Sequence, residues 1–390
     1  MSPLFPIENR LEAILEKRQQ EGSLRSLKLS PGLVDFYSND YLGFSRSLEL
    51  DDLFREKLQS FADRYKRRIG STGSRLLSGN SDLAEELESM LKEFHKAEAA
   101  LLFNSGYDGN VGMISAFIRP GDVVVYDDLV HASMHDGLKL ARVKGLPFQH
   151  NDLDHLEALL AHTPKDSSDS QSFILVESIY SMDGDSAPLV ELCQLAEKYG
   201  ANLLVDEAHA TGVFGNNGQG LCVELGVENQ VFARLVTFSK SLGAHGAVVL
   251  TTGKGKEYLV NFARSFIYST ATSLNSLLEV QSAYQLLQSS DFPKQAKQKV
   301  EAFQSLLNKY PNLPFLRNSQ SMIQALLIPG NFEVRQLAQR IQEAGFDLRP
   351  LVFPTVQKGK ERIRICLHTF NTKEDLEGLL EVIGKYQTFN

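Results

Sequence analysis

Leu203-Leu204-Val205-Asp206-Glu207-Ala208-His209 and, further on, Leu235-Val236-Thr237-Phe238-Ser239-Lys240 share one pattern: a short apolar run that ends abruptly in residues able to do chemistry. Runs this short are too brief for a buried helix and read as strands covered on both faces. Working outward, Ala99–Phe103, Val123–Tyr126, Phe173–Val176 and Ala247–Leu250 are runs of the same kind, and helical segments such as Asp82–Phe94 and Leu189–Lys198 separate several of them. The alternation predicts an α/β fold, a mostly parallel sheet flanked by helices. Polar clusters directly after the strands are expected to converge, because ligands of open α/β sheets bind beyond the carboxyl ends of strands.

The two ends of the chain read differently. Ile7 to Glu21 has a helical pattern with Leu11, Ile14 and Leu15 on one side, and Leu33–Tyr37 reads as a short strand. Beyond Lys294, long amphipathic helices (Lys294–Lys309, Phe332–Glu343) alternate with strand-like stretches (Ile323–Ile328, Arg362–Leu367). The expected organisation is an N-terminal helix and strand segment over 1–45, a large α/β domain over 46–288 and a small α+β domain over 289–390.

Composition narrows the function classes. At 43% hydrophobic and 23% charged, the 390 residues fit a globular protein with a large core. A net charge of −8 argues against generic nucleic-acid binding, which needs a basic face. Cys193, Cys222 and Cys366 are scattered and show no zinc-type spacing, as expected in a reducing compartment. No signal-peptide pattern opens the sequence and no apolar run reaches bilayer length, so a cytoplasmic protein without a membrane contact is expected.

A lysine and a carboxylate at neighbouring strand ends are what pyridoxal phosphate requires. Lys240 supplies the amine of a Schiff base, and Asp206 keeps the pyridine nitrogen protonated so that the ring can act as an electron sink. Neither is specific alone: Asp206 also suits a helix N-cap, and Lys240 suits a solvated surface. Ser105-Gly106-Tyr107 follows a strand and opens a helix, which fits a phosphate at a helix N-terminus or a plain glycine turn. His131, in His131-Ala132-Ser133-Met134-His135, offers a flat ring for stacking; its i, i+4 partner lacks the intervening glutamate of a metalloprotease. Ser181-Met182-Asp183-Gly184-Asp185 reads on its own as a turn, and His209 lies on the side of Asp206. Gly70–Gly79 and Gly215–Gly220 fit neither a P-loop nor a dinucleotide-binding turn.

Taken in order, Phe36–Gly43, Gly70–Gly79, Ser105–Tyr107, His131–Ser133, Ser181–Asp185, Asp206–His209, Thr237–Lys240 and Phe266–Thr270 resemble the α-oxoamine synthase family of fold-type I pyridoxal phosphate enzymes, over nearly the whole chain. The resemblance implies a homodimer with a shared site and a decarboxylative condensation of an amino acid with an acyl thioester of coenzyme A or a carrier protein. Ser38–Gly43 and Gly70–Leu76 look most like members that use L-alanine and a pimeloyl chain. It also implies roles: Lys240 as Schiff-base lysine and α-proton acid/base, His131 stacked on the ring and touching substrate, Asp206 on the pyridinium, and His209 and Ser181 on the phenolic oxygen. Gly106, Tyr107 and Thr237 would hold the phosphate, with Thr270 reaching in from the neighbouring subunit. Arg25, Asn39 and Arg362 match substrate-contacting positions, Arg362 as a carboxylate fork. Where the family places prolines after Phe266–Thr270, this chain has Ala271-Thr272-Ser273-Leu274.

Three rivals stand beside this expectation. One is a sister enzyme using glycine or serine, or making an autoinducer ketone; another is a pyridoxal phosphate-binding module without catalysis. The third is a metal hydrolase assembled from Asp127, His131, His135, Asp206 and His209. Arg64, Lys66, Arg67 and Arg68 are candidates to receive a polyanionic thioester, or form a solvated helix face.

Overall fold

A computed structural model describes residues 5–27, 29, 32–62, 70–164 and 167–387. The basic residues Arg64, Lys66, Arg67 and Arg68 lie outside the described residues. The chain runs through α1 (Glu8–Gln20), β1 (Val34–Asp35), α2 (Leu48–Ala62), α3 (Asp82–Phe94), β2 (Ala99–Phe103), α4 (Gly106–Phe117), β3 (Val123–Asp127), α5 (Ala132–Ala141), β4 (Leu146–Phe148), α6 (Leu153–His162), β5 (Ser172–Glu177), α7 (Leu189–Tyr199), β6 (Ala201–Asp206), β7 (Ala233–Thr237) and β8 (Ala247–Thr251). Later strands are β9 (Ile323–Leu327), β10 (Phe346–Asp347), β11 (Arg349–Leu351) and β12 (Arg362–Cys366). Two compact units result: Asn39–Ser181 with Asp185–Gln298, and Met1–Ser38 with Met182–Gly184 and Lys299–Asn390.

The larger unit is built on a seven-stranded sheet of order β2-β8-β7-β6-β5-β3-β4. The pairs from β4 across to β7 are parallel, whereas β8 runs antiparallel to both β7 and β2. Strand alternation feeds two cores. Phe173 and Leu175 of β5 join Met113 and Ile114 of α4 and Met134 and Leu138 of α5, while Ile174 and Val176 join Leu189, Leu192 and Cys193 of α7. Both faces are therefore apolar, which is why these strands read as continuous hydrophobic runs. Helix α4 packs closely on β7 at Gly109: a Cβ there would press on Leu235 Cδ1, and that side chain would have to shift.

The smaller unit carries a three-stranded antiparallel sheet, β11-β12-β9, and the parallel pair β1-β10. Helix α1 forms where its periodicity predicts, yet Leu11, Ile14 and Leu15 are about half exposed and none of its residues is buried. In this unit Arg362 of β12 forms an ion pair with Asp183, and Ser319 and Ser321 donate to the Gly184 carbonyl at 2.9 and 2.7 Å. Gly184 has φ +79°, and a Cβ there would strike the Ile323 carbonyl. Gly184→Ala is therefore expected to cost at least about 2 kcal/mol from left-handed strain plus overpacking. A urea midpoint equal to that of the unaltered chain would contradict this.

Candidate active site

Glu177 and Asp206 stand opposite each other at the carboxyl ends of β5 and β6, while β7 runs on from Leu235, the partner of Asp206, to Thr237, and the chain then turns to Lys240. Asp206 is 5% exposed, and no helix follows it. Its Oδ1 instead accepts the Ala208 amide at 2.9 Å, an Asx turn rather than a helix cap. That turn brings His209 back so that Lys240 Nζ donates to His209 Nε2 at 2.8 Å. His209 Nδ1 then carries the proton and donates to the Tyr41 hydroxyl at 2.7 Å, which donates to Asn39 Oδ1 at 3.3 Å. Lysine, histidine, tyrosine and asparagine thus form one chain of bonds through which Lys240 is oriented.

A second chain starts at the other Asp206 oxygen. Asn110 Nδ2 donates to Asp206 Oδ2 at 2.7 Å and to Ser133 Oγ at 2.9 Å. His131 Nδ1 faces both Ser133 Oγ, at 2.8 Å, and the Ser133 amide, at 3.3 Å. Since the amide can only donate, His131 Nδ1 is the acceptor and its proton sits on Nε2. Partial withdrawal from water lowers the pKa of His131; Asp206 opposes this and Lys240 adds to it, so the ring is neutral at pH 7. The residue stays open to solvent, as a ring that stacks on a ligand must.

Helix α4 begins at Gly106, with Ser105 Oγ accepting the Asp108 amide at 3.1 Å. The amides of Gly106 and Tyr107 lie in the first turn, where a helix supplies no carbonyl and where anions bind. Gly106 sits against Thr237: a Cβ would come 3.5 Å from Thr237 Oγ1, ordinary contact. The Thr237 hydroxyl donates to the Gly246 carbonyl at 3.3 Å and lies 3.2 Å from Ser239 Oγ. The Tyr107 ring is exposed, its hydroxyl bonded to Asp136 at 2.5 Å.

Ser181 is 6% exposed, and its amide donates to Glu177 Oε2 at 3.1 Å. Glu177 is buried beside Asp206; burial first, then the Asp206 charge, pushes its pKa up to about 8. Glu177 is thus protonated at pH 7. Its Oε1 and Asn110 Oδ1 are buried without a protein partner.

Asn39, Gly106, His131, Ser181, Asp206, His209, Thr237 and Lys240 therefore all belong to the larger unit, and the bonds above connect Asn39, His209 and Lys240 in one chain and His131 and Asp206 in the other. Thr270 is exposed; its carbonyl accepts Asn104 Nδ2 at 2.8 Å. The proline-free stretch after it is held otherwise: the Ala271 amide donates to the Gly73 carbonyl at 2.9 Å and Ser273 caps the helix Leu274–Leu287. Arg25 and Arg362 belong to the smaller unit, where Arg25 donates to Thr355 Oγ1 at 2.8 Å and Arg362 Nε to the Lys360 carbonyl at 2.9 Å. Sequence reading passed over Asn110, Ser133, Tyr41 and Glu177 as site residues. The signal for Asn110 was its place one helical turn after Gly106, on the same face of α4.

The five metal-hydrolase candidates are engaged elsewhere: Asp127 bonds His150, His135 packs its ring on Tyr126, and Asp206, His131 and His209 have the partners above. Among the described residues, no three His, Cys, Asp or Glu side chains assemble as a metal site. The donor set suits a different group: amides and a hydroxyl for a phosphate, a buried carboxylate for a protonated ring nitrogen, and an amine within reach of a histidine. The buried orphan oxygen of Asn110, beside Asp206, marks the polar wall such a ring would face.

Fold and site together define a fold-type I enzyme that depends on pyridoxal phosphate. The family described as aminotransferase class I and II matches residues 31–383. The chain is 41% identical to an 8-amino-7-oxononanoate synthase of Emericella nidulans, over 97% of this chain and 96% of that protein. Among solved structures, a serine palmitoyltransferase of Sphingomonas wittichii is 27% identical with a TM-score of 0.84, over 99% of this chain and 98% of that one. An 8-amino-7-oxononanoate synthase of Francisella tularensis is 26% identical with a TM-score of 0.77, over 92% and 98%. The chain belongs to the aminotransferase class I and II family and, within it, to the α-oxoamine synthases.

Proposed function

We propose that this enzyme condenses L-alanine with a pimeloyl thioester, of coenzyme A or a carrier protein, to give 8-amino-7-oxononanoate, CO2 and the free thiol. The likeness at 41% identity over nearly the full length of an 8-amino-7-oxononanoate synthase carries the reading. When bound, pyridoxal phosphate supplies a protonated pyridine ring that accepts the electron pair left on the substrate Cα. Asp206 would hold the proton on the ring nitrogen, and Asn110 and the Ala208 amide fix its carboxylate plane. Lys240 Nζ anchors the coenzyme, then takes the Cα proton and later returns one. His209 Nε2, 2.8 Å away, steers that amine. The amides of Gly106 and Tyr107 and the Thr237 hydroxyl take the phosphate. His131 would stack on the ring and touch substrate, and Ser181 and His209 would serve the phenolic oxygen. Asn39 and Arg25 touch substrate, and Thr270 serves the site of a second subunit in a cytoplasmic homodimer.

Arg362 is assigned the substrate carboxylate. Its guanidinium forms an ion pair with Asp183, a partner that a substrate carboxylate would have to displace or share. Losing a bidentate charge-assisted bond costs about 1.5–3 kcal/mol. Arg362→Lys is therefore expected to raise KM for the amino acid about tenfold to a hundredfold, with a smaller change in kcat. A KM equal to that of the parent enzyme would remove the assignment.

The serine palmitoyltransferase likeness favours a second reading, a serine-using enzyme with a long acyl chain. The test offers L-alanine, glycine and L-serine in turn with pimeloyl-CoA and palmitoyl-CoA, and identifies products by mass. The expected product is that of alanine with the pimeloyl thioester. A product from serine and palmitoyl-CoA alone would replace the first reading by the second.

A further inference from the structure

His150 lies outside the residues given a role so far. It follows β4, its Nδ1 is 2.9 and 3.2 Å from the two Asp127 oxygens, and its Nε2 is 2.9 Å from Asp185 Oδ2. A neutral imidazole has one N–H, so a ring with a carboxylate at each nitrogen is an imidazolium. The next residue, Asn151, adopts φ +56°, which asparagine tolerates better than most residues. That turn lets the Asn151 amide reach Asp127 Oδ2 at 2.9 Å and its side chain reach Asp185 Oδ2 and the Ser186 carbonyl, each at 3.2 Å.

Asp127 and Asp185 sit on different pieces of the chain. Asp127 closes β3 and is fully buried; Asp185 is on the segment that turns back after β5. That segment is a hairpin: the Tyr180 amide donates to the Asp185 carbonyl at 2.9 Å, the Ala187 amide to the Ser178 carbonyl at 3.1 Å, and Ile179 bridges Ser186. Ser181 is the next residue after Tyr180, whose ring stands edge-on to His150 at 4.4 Å. One side of Ser181 is thus fixed by Glu177 and the other by the clamped hairpin.

We propose that His150 is a positioning residue: gripped between Asp127 and Asp185, its imidazolium holds the hairpin from Ser178 to Ala187 in the geometry that presents Ser181 to the coenzyme. The inference rests on the assignment of Ser181 to the phenolic oxygen. Without the positive ring, two buried carboxylates would face each other and the hairpin would move away. The other groups around it are Tyr180, whose hydroxyl is held un-ionised by burial and by Asp127, and the protonated Glu177. Burial lowers the His150 pKa, but the bonds to Asp127 and Asp185 outweigh it and raise the value to about 9. A raised histidine pKa stabilises fully below the ordinary imidazole value and ceases to do so as pH climbs through about 9.

The experiment compares the holoenzyme with His150→Gln, Asp185→Asn and Ser181→Ala. Readouts are the affinity of the apoenzyme for pyridoxal phosphate, the absorption of the bound coenzyme across pH 7 to 10.5, and the urea midpoint. His150→Gln and Asp185→Asn are expected to weaken coenzyme binding about tenfold, the worth of one lost hydrogen bond. Both are expected to shift the coenzyme band as Ser181→Ala does, and the spectral step expected of the parent near pH 9 should vanish in His150→Gln and move to lower pH in Asp185→Asn. If Ser181→Ala changes the band and the other two leave affinity, band and pH step intact, the proposal is overturned, even if their urea midpoints fall. If Ser181→Ala itself changes nothing, the Ser181 assignment fails and takes the proposal with it. Should His150→Gln not fold, Asp185→Asn decides, because it leaves the bond between His150 and Asp127 in place.

Discussion

Lys240→Ala is expected to lower turnover by about four orders of magnitude, the upper end of what a positioned general base supplies. The variant would lose both roles proposed for one amine: the covalent hold on the coenzyme and the transfer of the Cα proton. Lys240 is the amine that bonds His209 and, through it, Tyr41 and Asn39. His131 cannot substitute efficiently, because its basic nitrogen is taken by Ser133 and its proton sits on Nε2. The fold should survive: Lys240 is half-buried and ends no strand, so its removal opens no core cavity. Borohydride reduction of the coenzyme-loaded parent, then digestion and mass spectrometry, should place a pyridoxyl group on the peptide holding residue 240. The same treatment of the variant should label no peptide. Turnover within tenfold of the parent, or a label on another lysine, would end the mechanistic reading.

What the sequence made legible was the strands, as continuous apolar runs, and the polar residues placed directly behind them. Asp206 ends β6 and Lys240 follows the end of β7 by three residues, and both strands are easily read because they are buried on two faces. Strand β4 escaped notice because three residues with a central proline carry almost no strand signal. Arg234 reads as a charged break in an apolar run, yet it is 2% exposed and is paired with Glu207 at 3.3 Å. That pair sits directly behind the Asp206 turn, where Glu207 Oε1 also accepts the Cys222 amide at 2.8 Å. Contacts of this kind join residues far apart in the chain, as do Tyr41 with His209 and His150 with Asp185. No local pattern announces them. The exposed apolar stripe of α1 shows the converse: helical spacing alone does not say whether a face is covered.

Asp206→Asn is the second large effect, an expected loss of about a hundredfold to a thousandfold in kcat, comparable to removing one preorganised electrostatic partner from a buried site. The substitution is close to isosteric, so it isolates charge from packing. Its amide oxygen can still accept from Ala208, while its NH2 would point at the Asn110 NH2 that now donates to Oδ2. Asn110 can resolve that clash by turning its amide over, since its Oδ1 is a buried acceptor without a protein partner. The turned amide then presents Oδ1 to Ser133, whose hydroxyl would have to donate to it and so could no longer donate to His131 Nδ1 in the chain that sets the His131 tautomer. The fold therefore remains, but a neutral amide no longer keeps a proton on the pyridine nitrogen, and the ring becomes a poorer acceptor of the Cα electron pair. Because the loss lies in charge, alanine's affinity should change far less than the rate of α-proton exchange with deuterated water. Glu177 sharpens the test: with Asp206 neutral, the like charge that helps hold its proton is gone, so Glu177 should ionise more readily than in the parent. Exchange in Asp206→Asn at the parental rate would show that some other group maintains the ring proton, and the central electrostatic role given to Asp206 would have to be abandoned.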